Sequence, residues 1–486
     1  MKRSVYLITL LAFVLRLGLG VAAATLLPQV GYETSKPQQA GYLFFDAYRR
    51  DKQAWDLAQS SKPLLRAFDN KFSSDQYGGL LWISAFIYRY LSAGTHQPLL
   101  VTLLAALVGS LGVLFVYLTT KRLAPDAAGG ERTALIAALI FAFFPEAILL
   151  GAAQMREPFL MTFIAMAFYG LTEWQATRRK TPWLWNLFAL AGMLFISPGF
   201  VVVTLVAAAG WLYFADSSSG TRAELKIPWQ VIAGALGLFV LALVVVSASW
   251  NSLVAARGGG FLGVIGNWAR ETANWNAYLL GRSSGIVQLL FQALPSVLAL
   301  PFVSIYGVLQ PVLPAVLFEP GIVFWQILGI FRALGWYLLL PLVAFAPILS
   351  GSLPVNQRRK QWLWLSLVVW GWIFIAAVRG GGDQWDNPRY RVILLAWMAP
   401  LAALAIKQLA NSRIDLLARN TARWFWRICA VEAVILLVFG HWYSWRYLGL
   451  GFNLGIRNTL IIAIGLSVLI VLGDWLWQRF KPLSRL

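Results

Sequence analysis

Apolar runs of roughly 15 to 25 residues recur along this chain, and that is the length a helix needs to cross a bilayer. They begin with Val5 to Leu27 and end with Thr459 to Trp477. With 59% hydrophobic residues and a mean hydropathy of +0.67, a soluble domain with one core is a poor account of such a pattern. The expected fold is an all-α polytopic membrane protein. The formal charge of +20 does not point to nucleic acid, because the lysines and arginines fall in short clusters between apolar runs, as the positive-inside rule requires. One cysteine, Cys429, and two histidines, His96 and His441, leave no intrachain disulfide and no His/Cys metal cluster.

The basic clusters assign sides. Lys2 and Arg3 precede the first run, which Arg16 interrupts and which is too long for the core of a cleaved signal peptide. A retained helix with its amino end inside is expected. Pro98 to Thr120 returns to Lys121, Arg122 and Arg132 on the inner side, which puts the loop between these two runs outside. Thr133 to Leu150 then leads out to Gln154, Met155, Arg156 and Glu157, and a helix from Pro158, a residue suited to a first turn, returns to Arg178, Arg179 and Lys180. Trp183 to Ile196 and Phe200 to Ala215 form a hairpin over Ser197-Pro198-Gly199, and Val231 to Trp250 goes out again. From Asn251 to Glu319 apolar pieces alternate with Gly258-Gly259-Gly260 and with prolines, so interfacial or re-entrant helices are expected over 251–320. Ala333 to Ser350, Trp362 to Val378, Val392 to Ile406, Ile428 to His441 and Thr459 to Trp477 complete a bundle of about twelve spans with both termini cytoplasmic. Two modules are expected, 1–250 with an external loop over 28–97, and 251–486 with the interrupted central segment.

The first external loop is the most polar stretch in a chain where 12% of residues are charged, and it is long for a connection without function. Between Gly41 and Leu91 it holds Asp46, Asp51, Asp56, Asp69 and Asp75 among several arginines and lysines. The same face collects Arg156 and Glu157, then Arg257, Arg270, Glu271 and Arg282, then Asp383, Asp386, Arg389 and Arg391. Arginines can hold a phosphate bidentately, and a carboxylate can deprotonate a hydroxyl nucleophile. Such a face suits an anionic, lipid-linked substrate and a proton transfer.

A first helix with an internal arginine, an acidic residue in a long first external loop, FPEAILLGAAQMREPFLMTF and DNPRYRVILLAWMAPLAALA are together similar to the GT-C superfamily of polyprenyl-phosphate-sugar-dependent glycosyltransferases. Protein O-mannosyltransferase-like and aminoarabinose-transferase-like members are the nearest in kind. The resemblance implies a GT-C-like bundle with interfacial helices in the first loop, and transfer of a sugar from a polyprenyl-phosphate donor to a lipid, glycan or protein acceptor at the external face. By that resemblance Asp46 is the first-loop acid and general base, and Glu157 the acid at the start of the fourth helix, there to position sugar, acceptor or a divalent metal ion. Arg389, before Tyr390, would face the donor phosphate, with Arg270 or Arg282 assisting, while Arg156, Asp75 and Tyr390 position substrate. Two departures stand out: Ala47 follows Asp46 where relatives often carry a second acid, and Asp75-Gln76-Tyr77 lies where a His-Pro-Pro-like stretch is usual.

Each residue also has a plainer reading. Asp46 could pair with Arg49 or Arg50 one turn on, Glu157 could complement a helix amino terminus, Arg389 could snorkel, and Asp75 could cap a turn. Arg16 inside the bilayer demands a partner or a wet cavity, and Arg332 is a further candidate for phosphate contact. Rival readings of the whole chain are a lipid-linked-sugar transporter or flippase and a non-catalytic assembly subunit. Compactness suggests a bacterial inner membrane.

Overall fold

The computed structural model describes residues 3–69, 78–124, 127–216, 296–353, 358–411 and 416–480, and among these there are helices and no strands. The amino half contains α1 (Arg3–Val30), the short α2 (Lys36–Gln39), α3 (Phe45–Gln59), α4 (Gly79–Phe86) continuing as a π turn, and α5 (Pro98–Leu123). It goes on through α6 (Ala127–Phe143), α7 (Pro145–Gly151), α8 (Glu157–Thr177), α9 (Trp183–Ile196) and α10 (Pro198–Asp216). The carboxyl half contains α11 (Ser296–Leu309), α12 (Leu313–Phe318), α13 (Val323–Ser352), α14 (Arg359–Gly380), α15 (Asp386–Arg391), α16 (Leu395–Asn411), α17 (Leu416–Leu448) and α18 (Gly455–Phe480). One continuous apolar core unites both halves, from Val5 and Ala12 on α1 to Trp397 and Leu401 on α16.

Seven of the described helices are long and apolar enough to cross a membrane, or eight if the bent α6–α7 pair is one span. The protein is therefore an integral membrane protein, but the expected dozen is not reached among the described residues. The reason is local. α9 has 14 residues, about 21 Å of helix against a hydrocarbon core of about 30 Å. α8 carries Glu157 and Glu173, and α17 is rich in arginine and tryptophan, so neither passes on composition. The expected span Val231 to Trp250 and most of the interrupted segment lie outside the described residues. Its described end forms two short helices, α11 and α12.

The run Thr133 to Leu150, expected as one helix, is two helices bent by 54°. Pro145 has no N–H to offer the carbonyl of Phe141, and the bend removes the next donor from Ala142. Arg16, wholly buried in the membrane segment of α1, replaces them: its guanidinium donates to Ala142 O at 3.1 Å, to Phe141 O at 3.4 Å and to Ala12 O at 3.0 Å. A charged side chain at that depth is costly unless it meets partners. Gly151 is required beside it, since a Cβ there would stand 2.6 Å from Arg16 Cδ. Arg16 therefore supports the break that aims α7 and α8 at the site.

The first loop is built of short helices, among them the amphipathic α3. On α3, Ala47, Arg50, Asp51, Ala54, Leu57 and Ala58 are buried at helical spacing, and its second half packs with Leu81, Ala85, Tyr88 and Val101 in a small separate core. Arg89 closes the end of α3 by donating to the carbonyls of Leu57, Ala58 and Ser60.

Candidate active site

The site lies where the amino end of α3 meets α15 and the start of α8. Phe44 enters α3 in extended conformation, which places Asp46 in the first helical turn with 40% of its side chain exposed. α15 is positioned by a glycine turn. Gly381 and Gly382 take φ of +59° and +80°, values that suit glycine, and a Cβ on Gly380 would lie 2.6 Å from Asn387 Oδ1. Asp383 then accepts from the N–H groups of Trp385 and Asp386 at 2.7 and 2.8 Å, starting the helical turn that carries Arg389.

Arg389 and Asp46, 343 positions apart, meet at 2.8 Å between Nη1 and Oδ2. The same guanidinium lies 3.3 Å from Glu157 Oε1 through Nε and 3.7 Å from Asp386 Oδ1 through Nη1. Arg156 Nε lies 3.9 Å from Glu157, and the Tyr390 ring lies 5.0 Å below the Arg389 guanidinium carbon. Asp46 therefore has a partner from beyond its own helix, and Arg50 donates to Gln154 O at 2.6 Å. Glu157 is fully buried, and neither of its oxygens has a hydrogen-bond partner, so the nearby cations are its compensation. It stands behind Arg389 and does not reach the cavity.

Asp46, Asp386, Arg389 and Tyr390 open onto a cavity of about 1010 Å³. Its remaining wall is aromatic and polar: Tyr32, Tyr42, Phe44, Phe45, Trp325 and Trp385, with Lys36, Gln38 and Gln384. Trp385 is wedged edge-on between Phe44 and Trp325, at ring distances of 6.2 and 5.2 Å. Arg332 lies 4.2 Å over Trp385 and donates to Gln384 O at 3.0 Å. That arginine is itself buried and joined to Glu146 of α7 by two contacts of 2.6 and 3.2 Å. Arg332 thus braces the wall, and Arg391, which donates to the carbonyls of Val308 and Gln310, holds α11 to α15.

Asp51 makes a second polar cluster one and a half turns along α3. Its carboxylate accepts from Tyr42 at 2.6 Å and from Tyr88, and His96 Nε2 lies 2.6 Å from Oδ2. Burial, reinforced by the Asp51 charge and hydrogen bond, pushes both phenols far above the usual tyrosine range, so they remain donors.

An apolar groove of about 650 Å³ runs between α1, α7 and α13. Phe324 lines this groove while its neighbour Trp325 lines the polar cavity.

Residues 79–250 match the family model described as dolichyl-phosphate-mannose-protein mannosyltransferase. That match, over about a third of the chain, supports a membrane glycosyltransferase of the GT-C type. No curated protein matches the chain. The matched stretch contains Arg156 and Glu157 but neither Asp46 nor Arg389, whose meeting rests on the structure.

Of the residues expected at the site, Asp46, Glu157, Arg389, Arg156 and Tyr390 come together, while Asp75, Arg270 and Arg282 lie outside the described residues. Among the described residues, no three His, Cys, Asp or Glu side chains are grouped to hold a metal ion. A guanidinium occupies the centre of the carboxylate cluster, so those oxygens do not form an open ligand set for a hard cation. Sequence reasoning named Arg332 for phosphate contact and not for its pairing with Glu146, and did not single out Lys36 or the Asp51–His96 cluster. The only local signals for them are a lysine just after the first span and a glutamate just after Pro145.

Proposed function

We propose that this glycosyltransferase moves a sugar from a polyprenyl-phosphate donor to a hydroxyl acceptor, with Asp46 as the base. The observation that supports this most is a half-exposed carboxylate held 2.8 Å from a buried arginine at the wall of a cavity large enough for a glycosyl phosphate. Asp46 takes the acceptor's proton as its oxygen attacks the anomeric carbon. The bond from that carbon to the phosphate oxygen breaks, and polyprenyl phosphate leaves with the electron pair. No covalent enzyme intermediate is needed, so the configuration inverts. Arg389 orients Asp46, and Glu157 holds Arg389 from behind. Tyr390 lines the same wall, and Arg156 stands beside Glu157.

The groove beside the cavity supports an amphiphilic donor, because its apolar lining begins where the aromatic wall ends. The cavity lies at the end of α1 remote from Lys2 and Arg3, which by the positive-inside rule is the external face, of a bacterial inner membrane on this reading.

The test is product formation by the purified protein with a panel of labelled polyprenyl-phosphate sugars and hydroxyl acceptors. New glycosidic product from at least one donor is expected, whereas vesicle uptake of donor without product indicates transport. Gly18 lines the groove with open space around it. Gly18→Leu should raise KM about tenfold for a long-chain donor, the order expected for losing burial of one or two isoprenoid methyl groups, and leave a short-chain analogue unaffected.

A further inference from the structure

The charge around Arg389 poses a problem that the cavity itself resolves. Three carboxylates, Asp46, Glu157 and Asp386, lie within 3.7 Å of that one guanidinium, so an incoming phosphate meets a cation already more than neutralised. Among the described residues, the other cation lining the cavity is Lys36. Among the described residues it has no carboxylate partner, and Glu33, the nearest acid in sequence, does not line the cavity. Tyr32, Thr34 and Ser35 line the same rim, and the Ser35 hydroxyl is not spent on capping α2.

This rim is held in place. Gln38 Oε1 accepts from the Tyr32 N–H at 2.8 Å and from Trp325 Nε1 at 3.1 Å, tying the turn to α13. Tyr42 N donates to Pro37 O at 2.9 Å, and Gly41, with φ of +80°, packs so closely on α1 that a Cβ would lie 2.8 Å from Ala24 Cα. The lysine therefore projects from an anchored turn.

We infer that Lys36 is the cation that receives the donor's phosphate, with the hydroxyls of Tyr32, Thr34 and Ser35 beside it and Asp46 across the cavity. The inference rests on the function proposed above. It separates the two ends of the cavity by charge: phosphate at the Lys36 rim, acceptor and base at Asp46. An ammonium is a point charge that binds phosphate without needing a planar fork, so arginine should serve nearly as well at an exposed rim.

The experiment uses the full chain in nanodiscs of zwitterionic lipid and compares binding of undecaprenyl phosphate with that of undecaprenol. The native protein should prefer the phosphate. Lys36→Ala should weaken phosphate binding by about tenfold or more, as expected for a charge-assisted hydrogen bond, without changing binding of the alcohol. Lys36→Arg should restore most of it. In turnover, Lys36→Ala should raise donor KM by the same factor and leave kcat nearly unchanged, a split that a general loss of structure does not produce. Equal binding of phosphate and alcohol by the native protein, or unchanged discrimination in Lys36→Ala, overturns the inference. Absence of sugar transfer from every donor, with phosphate binding intact and Lys36-dependent, overturns the proposed function and leaves the phosphate site standing.

Discussion

Two aspartates on α3 differ in how fully the protein itself satisfies them. Asp46 sits in the first turn, 40% exposed, and shares Arg389 with two other carboxylates at the wall of a cavity. Asp51 is 1% exposed and closed in by two tyrosines and His96, with Trp55 stacked 5.0 Å from the histidine ring. Both are acids of the same loop. They differ in that the Asp51 oxygens are filled by donors of the protein itself, while Asp46 keeps an open side towards a substrate. Burial and saturation suit a structural acid, and incomplete saturation at a cavity suits the chemical role proposed for Asp46.

The comparison breaks most readily at Arg389. Arg389→Gln leaves Asp46, Glu157 and Asp386 without their shared cation, and Glu157 is fully buried. Stability should fall by about 3 kcal/mol or more, with kcat falling at least a hundredfold. Thermal unfolding and turnover read the two effects, and a stable variant with native kcat would show that the cluster is neither structural nor chemical.

At the other end of α3, Asp51→Asn presents an amide N–H₂ to groups that already donate. A loss of about 2 kcal/mol is expected, while kcat per folded molecule stays within roughly threefold. Loss of kcat without loss of stability would place Asp51 in the chemistry and erase the distinction.

The smallest effect concerns alkaline pH. Tyr42 and Tyr88 have folded pKa values raised above the ordinary 10.0, chiefly by burial. Their contribution is therefore fully present below about pH 10 and is lost as pH rises beyond it, because only the unfolded chain ionises there. Denaturant midpoints measured from neutral to alkaline pH should fall above that point, and Tyr88→Phe should flatten the fall. A decline beginning near neutrality would contradict the assignment.

Much of the fold was legible because apolar length and basic clusters report directly on membrane helices. The bundle class, the first loop and the start of α8 at Glu157 follow from local sequence. The break at Pro145 was visible as a proline but hidden by unbroken hydrophobicity, and Arg16 shows its purpose only when the carbonyls of Phe141 and Ala142 are seen beside it. The run Trp183 to Ile196 was bounded as α9 is, but its 14 residues already fell short of the roughly 20 that a span needs. At the site, Asp46, Glu157 and Arg389 were readable through resemblance to a family. Glu146–Arg332 and Lys36 were not, since a pair 186 positions apart and a cation defined by what it lacks leave no periodic trace.

The most direct measurement is the turnover of Asp46→Asn with a polyprenyl-phosphate sugar that the native protein uses. A base contributes on the order of a hundredfold to ten-thousandfold, so kcat should fall by at least a hundredfold while donor KM, set at the far rim, stays close to native. Native kcat in a folded Asp46→Asn protein would contradict the account.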